Sequence, residues 1–222
     1  YDYPTNPDAF TFDIDEYFTR LQPLCNDKVL IGIEIGMQTH TAAEDKKVAQ
    51  GHDFDFVLGS IHCIGKRDLY EASCYAGRTR QQIVEEFLTD SITCLEQDRD
   101  FDAFAHIDYI CRYWPYEGEE RELRLADAPN LFDKLFQLLI EKNIPIEINT
   151  RRLDDAAAVA GLIPLYKRYQ QLGGRYCTIG RDAHYAEHVG RRLAEALQIA
   201  QACQLTPVYF KKRKMQIMEV SK

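Results

Sequence analysis

The feature that most constrains the fold of this chain is a regular alternation between two hydrophobic periods. Short apolar runs typical of buried strands are each followed by a longer segment with the spacing of an amphipathic helix. This order favours parallel strands joined by crossover helices over separate all-α or all-β parts. The 222 residues, 45% of them hydrophobic, suffice for one such domain over residues 1–222.

The pattern predicts six strands and six helices. The strands are predicted at 29–36, 54–62, 101–106, 144–149, 176–180 and 207–210. The helices are predicted at about 14–24, 41–51, 79–97, 128–142, 162–172 and 186–203, the first opening with Asp13 and Glu16 as a capping box. A closed β/α barrel and an open doubly wound sheet both fit this series, and both place functional side chains at the carboxyl ends of strands.

Charge and cysteine usage narrow the function classes. A net charge of −8 argues against nucleic acid as the main partner, because binding to a phosphate backbone needs clustered lysine and arginine. The one basic run, residues 211–214, is expected to be a solvated tail. Seven cysteines without paired spacing are typical of reduced thiols, and no apolar run is long enough for a membrane span. We therefore expect a cytoplasmic protein with no membrane partner.

The run IGIEIG at residues 31–36 contains an acidic residue that needs a partner. A period of two sends its isoleucines to one face of the strand and Gly32, Glu34 and Gly36 to the other. An unpaired carboxylate buried there would cost several kcal/mol. Glu34 is therefore expected to meet either metal ions or a core arginine.

Histidines and an aspartate follow the other predicted strands at matching positions. His62 ends the second strand and His106 the third, while Asp182 and His184 come just after the fifth. A single histidine at a strand end is more often structural than a ligand, but two beside an inward glutamate favour a metal site. Imidazole and carboxylate ligands together suit Zn, Mn or Fe.

Taken in order, the segments IGIEIG, GSIH, AHID, EIN followed by arginine, and IGRDAH resemble the PHP (polymerase and histidinol phosphatase) family, most of all its histidinol-phosphate phosphatases. The similarity extends from about Val29 to Val189. It implies a distorted (β/α)7 TIM-like barrel that holds two or three divalent ions. It also implies that Glu34 bridges two ions and that His62 and His106 complete one of them.

The same resemblance gives roles to the residues after the fifth strand. Asp182 would bind a second ion and act as a base, and His184 would help to hold a third ion. The sequence departs from the family in two ways. The family's first strand carries His-x-His, and another histidine follows soon after, but neither precedes Tyr1, so we expect an upstream segment with the N-terminal strands. Arg181 stands where the family usually has serine, and it would either contact phosphate or repel the cations.

Arginines beside these strand ends are candidates for binding the phosphate group of a substrate. Asn149 shares the inward face of its strand, Arg151 and Arg152 follow it directly, and Arg112 lies six residues beyond His106. A planar guanidinium can bind phosphate oxygens through two hydrogen bonds. With Arg181, these residues form the predicted substrate-binding set. The alternative for Arg151 and Arg152 is pairing at the surface with the aspartates at 154 and 155.

Two further features are weaker candidates. His188 lies four residues after His184 and would share its face if the predicted helix began early. The aromatic run 113–116, with Trp114 at its centre, is typical of packing but could also line a pocket for an imidazole ring.

The expected activity is metal-dependent hydrolysis of a phosphate monoester. The resemblance implies that L-histidinol phosphate, a small-molecule ester, is converted to L-histidinol and phosphate in histidine biosynthesis. Two other functions remain open: a PHP enzyme acting on another small phosphoester, and a catalytically inactive PHP-like binding or scaffold domain.

Overall fold

The computed structural model describes residues 1–2 and 11–219. Helices and strands alternate along the chain as the hydrophobic periods predicted. The helices are α1 Ile14–Leu21, α2 Ala42–Gln50, α3 Arg80–Glu96, α4 Pro129–Glu141, α5 Ala156–Gln171 and α6 Leu193–Ala202. The strands are β1 Gly32–Gly36, β2 Phe56–Ser60, β3 Cys63–Ile64, β4 Arg67–Asp68, β5 Ala103–Phe104, β6 Ile146–Asn149, β7 Tyr176–Gly180, β8 Thr206–Lys211 and β9 Lys214–Ile217.

Seven strands form one sheet in the order β1-β2-β5-β6-β7-β8-β9, and β3 pairs with β4 in a separate hairpin. Within this sheet, as far as it is described, neighbouring strands from β1 to β8 are parallel, and β8 and β9 are antiparallel. Spatial order therefore follows chain order. This is the winding of a β/α barrel, whereas a doubly wound sheet reverses its order at a switch point.

Hydrophobic packing covers the sheet in two clusters. The larger one joins α3, α4 and α5 to the central strands through fully buried rings, among them Phe87, Phe104 and Tyr166. The smaller one contains Ile33 and Ile35 of β1, which pack near α1 and α2 as the period of two predicted. Within the described residues, no helix is both long and apolar enough to cross a membrane.

The basic run near the C-terminus is not the solvated tail that we expected. Lys212 and Arg213 form the turn of the β8–β9 hairpin, and both have positive φ angles. The backbone nitrogen of Arg213 donates to the carbonyl of Asp55, and its guanidinium bonds Asp100 and Asp102, both at 2.6 Å. This turn therefore ties the far edge of the sheet to the segments that precede β2 and β5.

Two predicted helix starts are also wrong. Helix α5 begins six residues early, because Asp155 caps it by accepting from the backbone nitrogen of Ala157, and Pro164 is tolerated inside it. Helix α6 begins at residue 193 and not at 186. Gly190 and Arg192 adopt positive φ angles of 73° and 62°, which interrupt any helix that starts earlier.

All seven cysteines are free, as predicted.

Candidate active site

Three of the predicted metal ligands meet at the carboxyl ends of adjacent strands. Glu34 lies within β1, His62 two residues beyond β2, and His106 two residues beyond β5. The Oε1 atom of Glu34 lies 3.1 Å from Nε2 of His62 and 3.1 Å from Nε2 of His106. The two Nε2 atoms are 3.4 Å apart. One oxygen and two imidazole nitrogens thus converge on one point.

The partners of Glu34 decide between the two environments expected for it. Within the described residues its carboxylate pairs with the two histidines and with no arginine. Burial raises the pKa of Glu34, but its hydrogen bonds to His106 and His62 outweigh burial and hold the pKa well below its usual value. The carboxylate is therefore charged at neutral pH.

The same contacts act on His62. Burial lowers its pKa, but the carboxylates of Asp2 and Glu34 outweigh this effect and raise the pKa to about 10. Carboxylates that stabilise a protonated imidazole would also stabilise a divalent cation in the place of the proton.

The donor set fits a divalent metal ion. Glu34, His62 and His106 each offer one ligand atom, and these atoms all lie within 4.8 Å of one another. Two imidazoles and a carboxylate suit zinc and other transition-metal ions. Asp182 and His184 stand outside this group of three. The structure thus brings together three of the five predicted ligands.

A carboxylate that sequence reasoning missed supports His62 from behind. Both oxygens of Asp2 approach Nδ1 of His62, at 3.0 and 2.9 Å. Asp2 also forms a parallel bridge with Gly36 at the end of β1. Nothing in the local sequence around Asp2 indicates this contact, because 60 residues separate the pair.

A second missed carboxylate supports His106. Glu147 on β6 is buried, and its Oε2 accepts the backbone N–H of His106 at 2.8 Å and the side-chain amide of Asn149 at 3.0 Å. Burial raises the pKa of Glu147. A Cβ atom at Gly180 of β7 would lie 1.8 Å from Oε1 of Glu147, so only glycine fits beside it. The inward glutamate of IEIN has the same spacing signal as that of IGIEIG, and it could have been found.

Asp182 lies among arginines. Its Oδ2 accepts hydrogen bonds from Arg112 and from Arg151, the second at 2.9 Å. The backbone carbonyl of Asp182 accepts from Nδ1 of His184 at 3.0 Å, and the imidazole of His184 is largely exposed. Asp182 therefore pairs with two of the predicted phosphate-binding arginines in this arrangement.

Two of the arginines keep donors that no side chain or backbone group satisfies. Within residues 1–2 and 11–219, the buried Nε and Nη2 of Arg112 and the buried Nε and Nη1 of Arg181 have no hydrogen-bond partner. Burial and the neighbouring Arg191 lower the pKa of Arg181. Buried guanidinium groups with unused donors are suited to an anion with several oxygens.

Arg152 and Asn149 have other partners. Arg152 bonds Asp108 at 3.0 Å and Glu122 at 2.6 Å, and it lies outside the cavity lining that the structure describes. The side-chain oxygen of Asn149 accepts the backbone N–H of Arg151 at 2.9 Å. Neither Arg151 nor Arg152 makes the surface pair with Asp154 or Asp155 that was the alternative.

Part of the triad and most of the predicted phosphate-binding arginines line one cavity of about 890 Å³. Its lining includes Glu34 and His62 of the triad together with Arg112, Arg151, Arg181, Asp182 and His184. The ring of Tyr109 lies 4.5 Å from the ring of His62, and the Arg112 guanidinium stands 4.8 Å from the centre of the same ring. One aromatic ring thus separates the triad from the arginines.

The weaker candidates divide between cavity and core. Tyr113 and His188 line the cavity, but His188 lies in a short 3₁₀ turn, so it does not share a helical face with His184. Trp114 is buried, donates to the carbonyl of Arg121 and packs under the guanidinium of Arg80, so it serves the core.

Comparison with known proteins gives the family. The PHP domain family matches residues 5–151, a range that contains all three residues of the triad. This chain belongs to the PHP domain family. The resemblance seen in the ordered motifs is thereby confirmed.

Two relatives of this chain are described as histidinol-phosphatases, one of them as probable. A probable histidinol-phosphatase from Clostridium acetobutylicum is 39% identical over 93% of this chain and 80% of its own length. A histidinol-phosphatase from Lactococcus lactis subsp. lactis is 29% identical over 80% of this chain and 68% of its own length.

A solved structure gives the same family fold. The histidinol phosphate phosphatase from Lactococcus lactis subsp. lactis, crystallised with zinc, L-histidinol and phosphate, superposes with a TM-score of 0.86 at 26% identity. The match covers 97% of this chain and 84% of that chain. The α/β fold of PHP type expected from the motifs is therefore confirmed, with strands wound in the order of a barrel.

Proposed function

We propose that this PHP protein is a phosphoric monoester hydrolase that converts L-histidinol phosphate to L-histidinol and phosphate. One observation carries the proposal: Glu34 and His62 of the converging triad line one cavity with Arg112 and Arg181, which keep buried donors that have no partner among the described residues. The names of the relatives, and the zinc, L-histidinol and phosphate in the related crystal structure, support the substrate.

Glu34, His62 and His106 would hold the cation through Oε1 and the two Nε2 atoms. A bound divalent cation supplies charge neutralisation at the phosphoryl oxygens and lowers the pKa of water. Zinc has the most support, from the related structure and from the ligand types. Additional ions, as the PHP resemblance implies, would need ligands beyond this triad, and Asp182 and His184 are the candidates.

Arg112 and Arg181 would bind the phosphate group. Their unpartnered nitrogens are buried beside the cavity, where hydrogen bonds to charged oxygens are stronger than in water. Arg151 would contribute its charge, since it already donates to a carboxylate in the same place.

Asp182 would exchange partners during the reaction. In the described structure its Oδ2 is the acceptor for Arg112 and Arg151. A phosphate dianion that took over these guanidinium donors would free the carboxylate to accept a proton or to bind a cation. Asp182 thus holds the arginines in place before substrate arrives, and it serves as the base afterwards.

Phosphate release by the zinc- or manganese-loaded full-length protein tests the proposal. We expect kcat/KM for L-histidinol phosphate to exceed that for phenyl phosphate and for O-phosphoserine. Glu34→Gln should lower the activity by more than about 100-fold, because even supporting residues of metal ligands contribute about 10- to 100-fold. Glu44→Gln is the matched control, since Glu44 is exposed on α2.

The outcomes separate the proposed function from its alternatives. Equal turnover of all three esters would indicate a phosphatase that does not select L-histidinol phosphate. A metal-loaded protein that released phosphate from none of them would favour a binding or scaffold role.

A further inference from the structure

The first two residues extend the sheet beside β1. The backbone N–H of Gly36 donates to the carbonyl of Tyr1 at 2.9 Å, and the nitrogen of Tyr1 lies 2.6 Å from the carbonyl oxygen of Glu34. Asp2 and Gly36 are partners in a parallel bridge. Asp2 therefore stands at the same carboxyl edge of the sheet as the ligand triad.

From this position the side chain of Asp2 reaches across the end of β1. A Cβ atom at Gly36 would lie 1.2 Å from Oδ1 of Asp2, so any larger residue would block the carboxylate. Beyond Gly36 the two oxygens meet Nδ1 of His62 at 3.0 and 2.9 Å. The side chains of Asp2 and His62 are 19% and 18% exposed, so water competes little for this contact.

The contact determines which ring nitrogen of His62 faces the triad. A carboxylate only accepts hydrogen bonds, so Nδ1 of His62 must carry the proton that it shares with Asp2. While that proton stays on Nδ1, the other nitrogen is the one that can give up its proton and offer its lone pair to a cation. That nitrogen, Nε2, is the one that lies 3.1 Å from Oε1 of Glu34.

We propose that Asp2 is a positioning residue, which fixes the tautomer and ring orientation of His62 so that Nε2 can bind the metal ion. Carboxylates commonly support metal-binding histidines in this way. The inference rests on the metal centre proposed above. It concerns one ligand in particular, because within the described residues the Nδ1 atom of His106 has no hydrogen-bond partner.

Zinc affinity of the full-length protein, measured by competition with a chromophoric chelator, tests the inference. Asp2→Ala should weaken zinc binding by about 10- to 100-fold, the usual effect of removing such a supporting group. Asp2→Asn keeps a carbonyl oxygen that can accept from Nδ1, so it should recover most of that loss.

The chain offers a matched control. Asp15 accepts from Nε2 of His52 at 2.8 Å in an exposed aspartate–histidine pair outside the cavity lining. Asp15→Ala should leave zinc affinity unchanged. The visible spectrum of bound cobalt gives a second readout, since it reports ligand geometry: at saturating cobalt it should differ from wild type in Asp2→Ala and not in Asp15→Ala.

Each remaining outcome has a defined meaning. Zinc affinity and cobalt spectrum of Asp2→Ala equal to wild type would overturn the positioning role while the metal centre stands. Equal losses in Asp2→Ala and Asp2→Asn, with a lower unfolding temperature of both metal-free proteins, would show a merely structural contact and also overturn it. Wild-type protein that takes up neither zinc nor cobalt would remove the metal centre itself.

Discussion

Substituting Gly180 by alanine should displace Glu147 and destabilise the protein without contact to Glu34, His62 or His106. The new Cβ atom would lie 1.8 Å from Oε1 of Glu147, and real Cβ atoms do not approach other atoms so closely. Gly180 is paired with Asn149 in the β6–β7 ladder, so the backbone has little freedom to move away. The carboxylate of Glu147 must therefore shift.

The shift breaks the two hydrogen bonds that Oε2 of Glu147 accepts, from the backbone of His106 at 2.8 Å and from Asn149 at 3.0 Å. A hydrogen bond contributes about 0.5–1.5 kcal/mol, and about 1.5–3 kcal/mol when one partner is charged. With partial relaxation we expect a loss of about 3 kcal/mol. For a chain of this size, that lowers the unfolding temperature by about 6–12 °C.

Urea unfolding of the metal-free full-length protein measures this loss. Gly51→Ala serves as the control, because Gly51 has a negative φ and a Cβ there would approach no atom closer than 3.3 Å. The cause is isolated by repeating Gly180→Ala in a Glu147→Ala background, where no carboxylate remains to be displaced. There it should cost less than about 1 kcal/mol, as expected when two coupled groups are already separated. An undiminished cost in that background would refute the reasoning.

Three other contacts can each be tested by a single change. Arg112→Gln should lower kcat/KM for the phosphate ester by about 10- to 100-fold and weaken inhibition by inorganic phosphate by a similar factor. Arg168→Gln, which breaks a surface pair with Asp133, should change neither quantity. Arg213→Ala should destabilise the protein by about 2 kcal/mol in urea unfolding, because the β8–β9 turn loses its bonds to two aspartates; an unchanged midpoint would contradict this role. After brief iodoacetamide treatment of the native protein, mass spectrometry should find Cys25 modified first, because burial raises the pKa of thiols such as Cys63 to about 12. Early labelling of Cys63 would contradict this prediction.

The parts of the fold that are encoded locally were predictable. Alternation in residues 31–36 gave the correct faces of β1, because burying every second side chain is a property of the strand itself. The capping aspartate at 13 accepts from the backbone of Glu16, and α1 starts where this signal predicted.

The parts that depend on distant contacts were not predictable in the same way. The β8–β9 turn has no glycine or asparagine to mark it, and its positive φ angles at Lys212 and Arg213 are stabilised by acidic groups more than a hundred residues earlier in the chain. The β3–β4 hairpin, with two residues in each strand, was not predicted.

The positions of the candidate site residues were also predictable only in part. Strand-end position brought Glu34, His62 and His106 together, because parallel strands deliver their carboxyl ends to one edge of a sheet. Asp182 follows the same rule, yet its side chain turns to arginines. Its positive φ of 54° and its arginine partners are features that spacing alone does not encode. Arg152 shows the same limit, since two buried acids bind it.

The two histidines of the triad are oriented by different contacts. Substitutions that affect Asp2 and Glu147 should therefore have different effects. His62 is held through its ring, by the carboxylate of Asp2 on Nδ1. His106 is held through its backbone, by Glu147, and its ring has no partner on Nδ1 within the described residues. Loss of Asp2 removes one hydrogen bond, whereas displacement of Glu147 removes two, so Asp2→Ala should cost less stability than Gly180→Ala. A metal-free Asp2→Ala protein as unstable as Gly180→Ala would contradict this difference between the two supporting carboxylates.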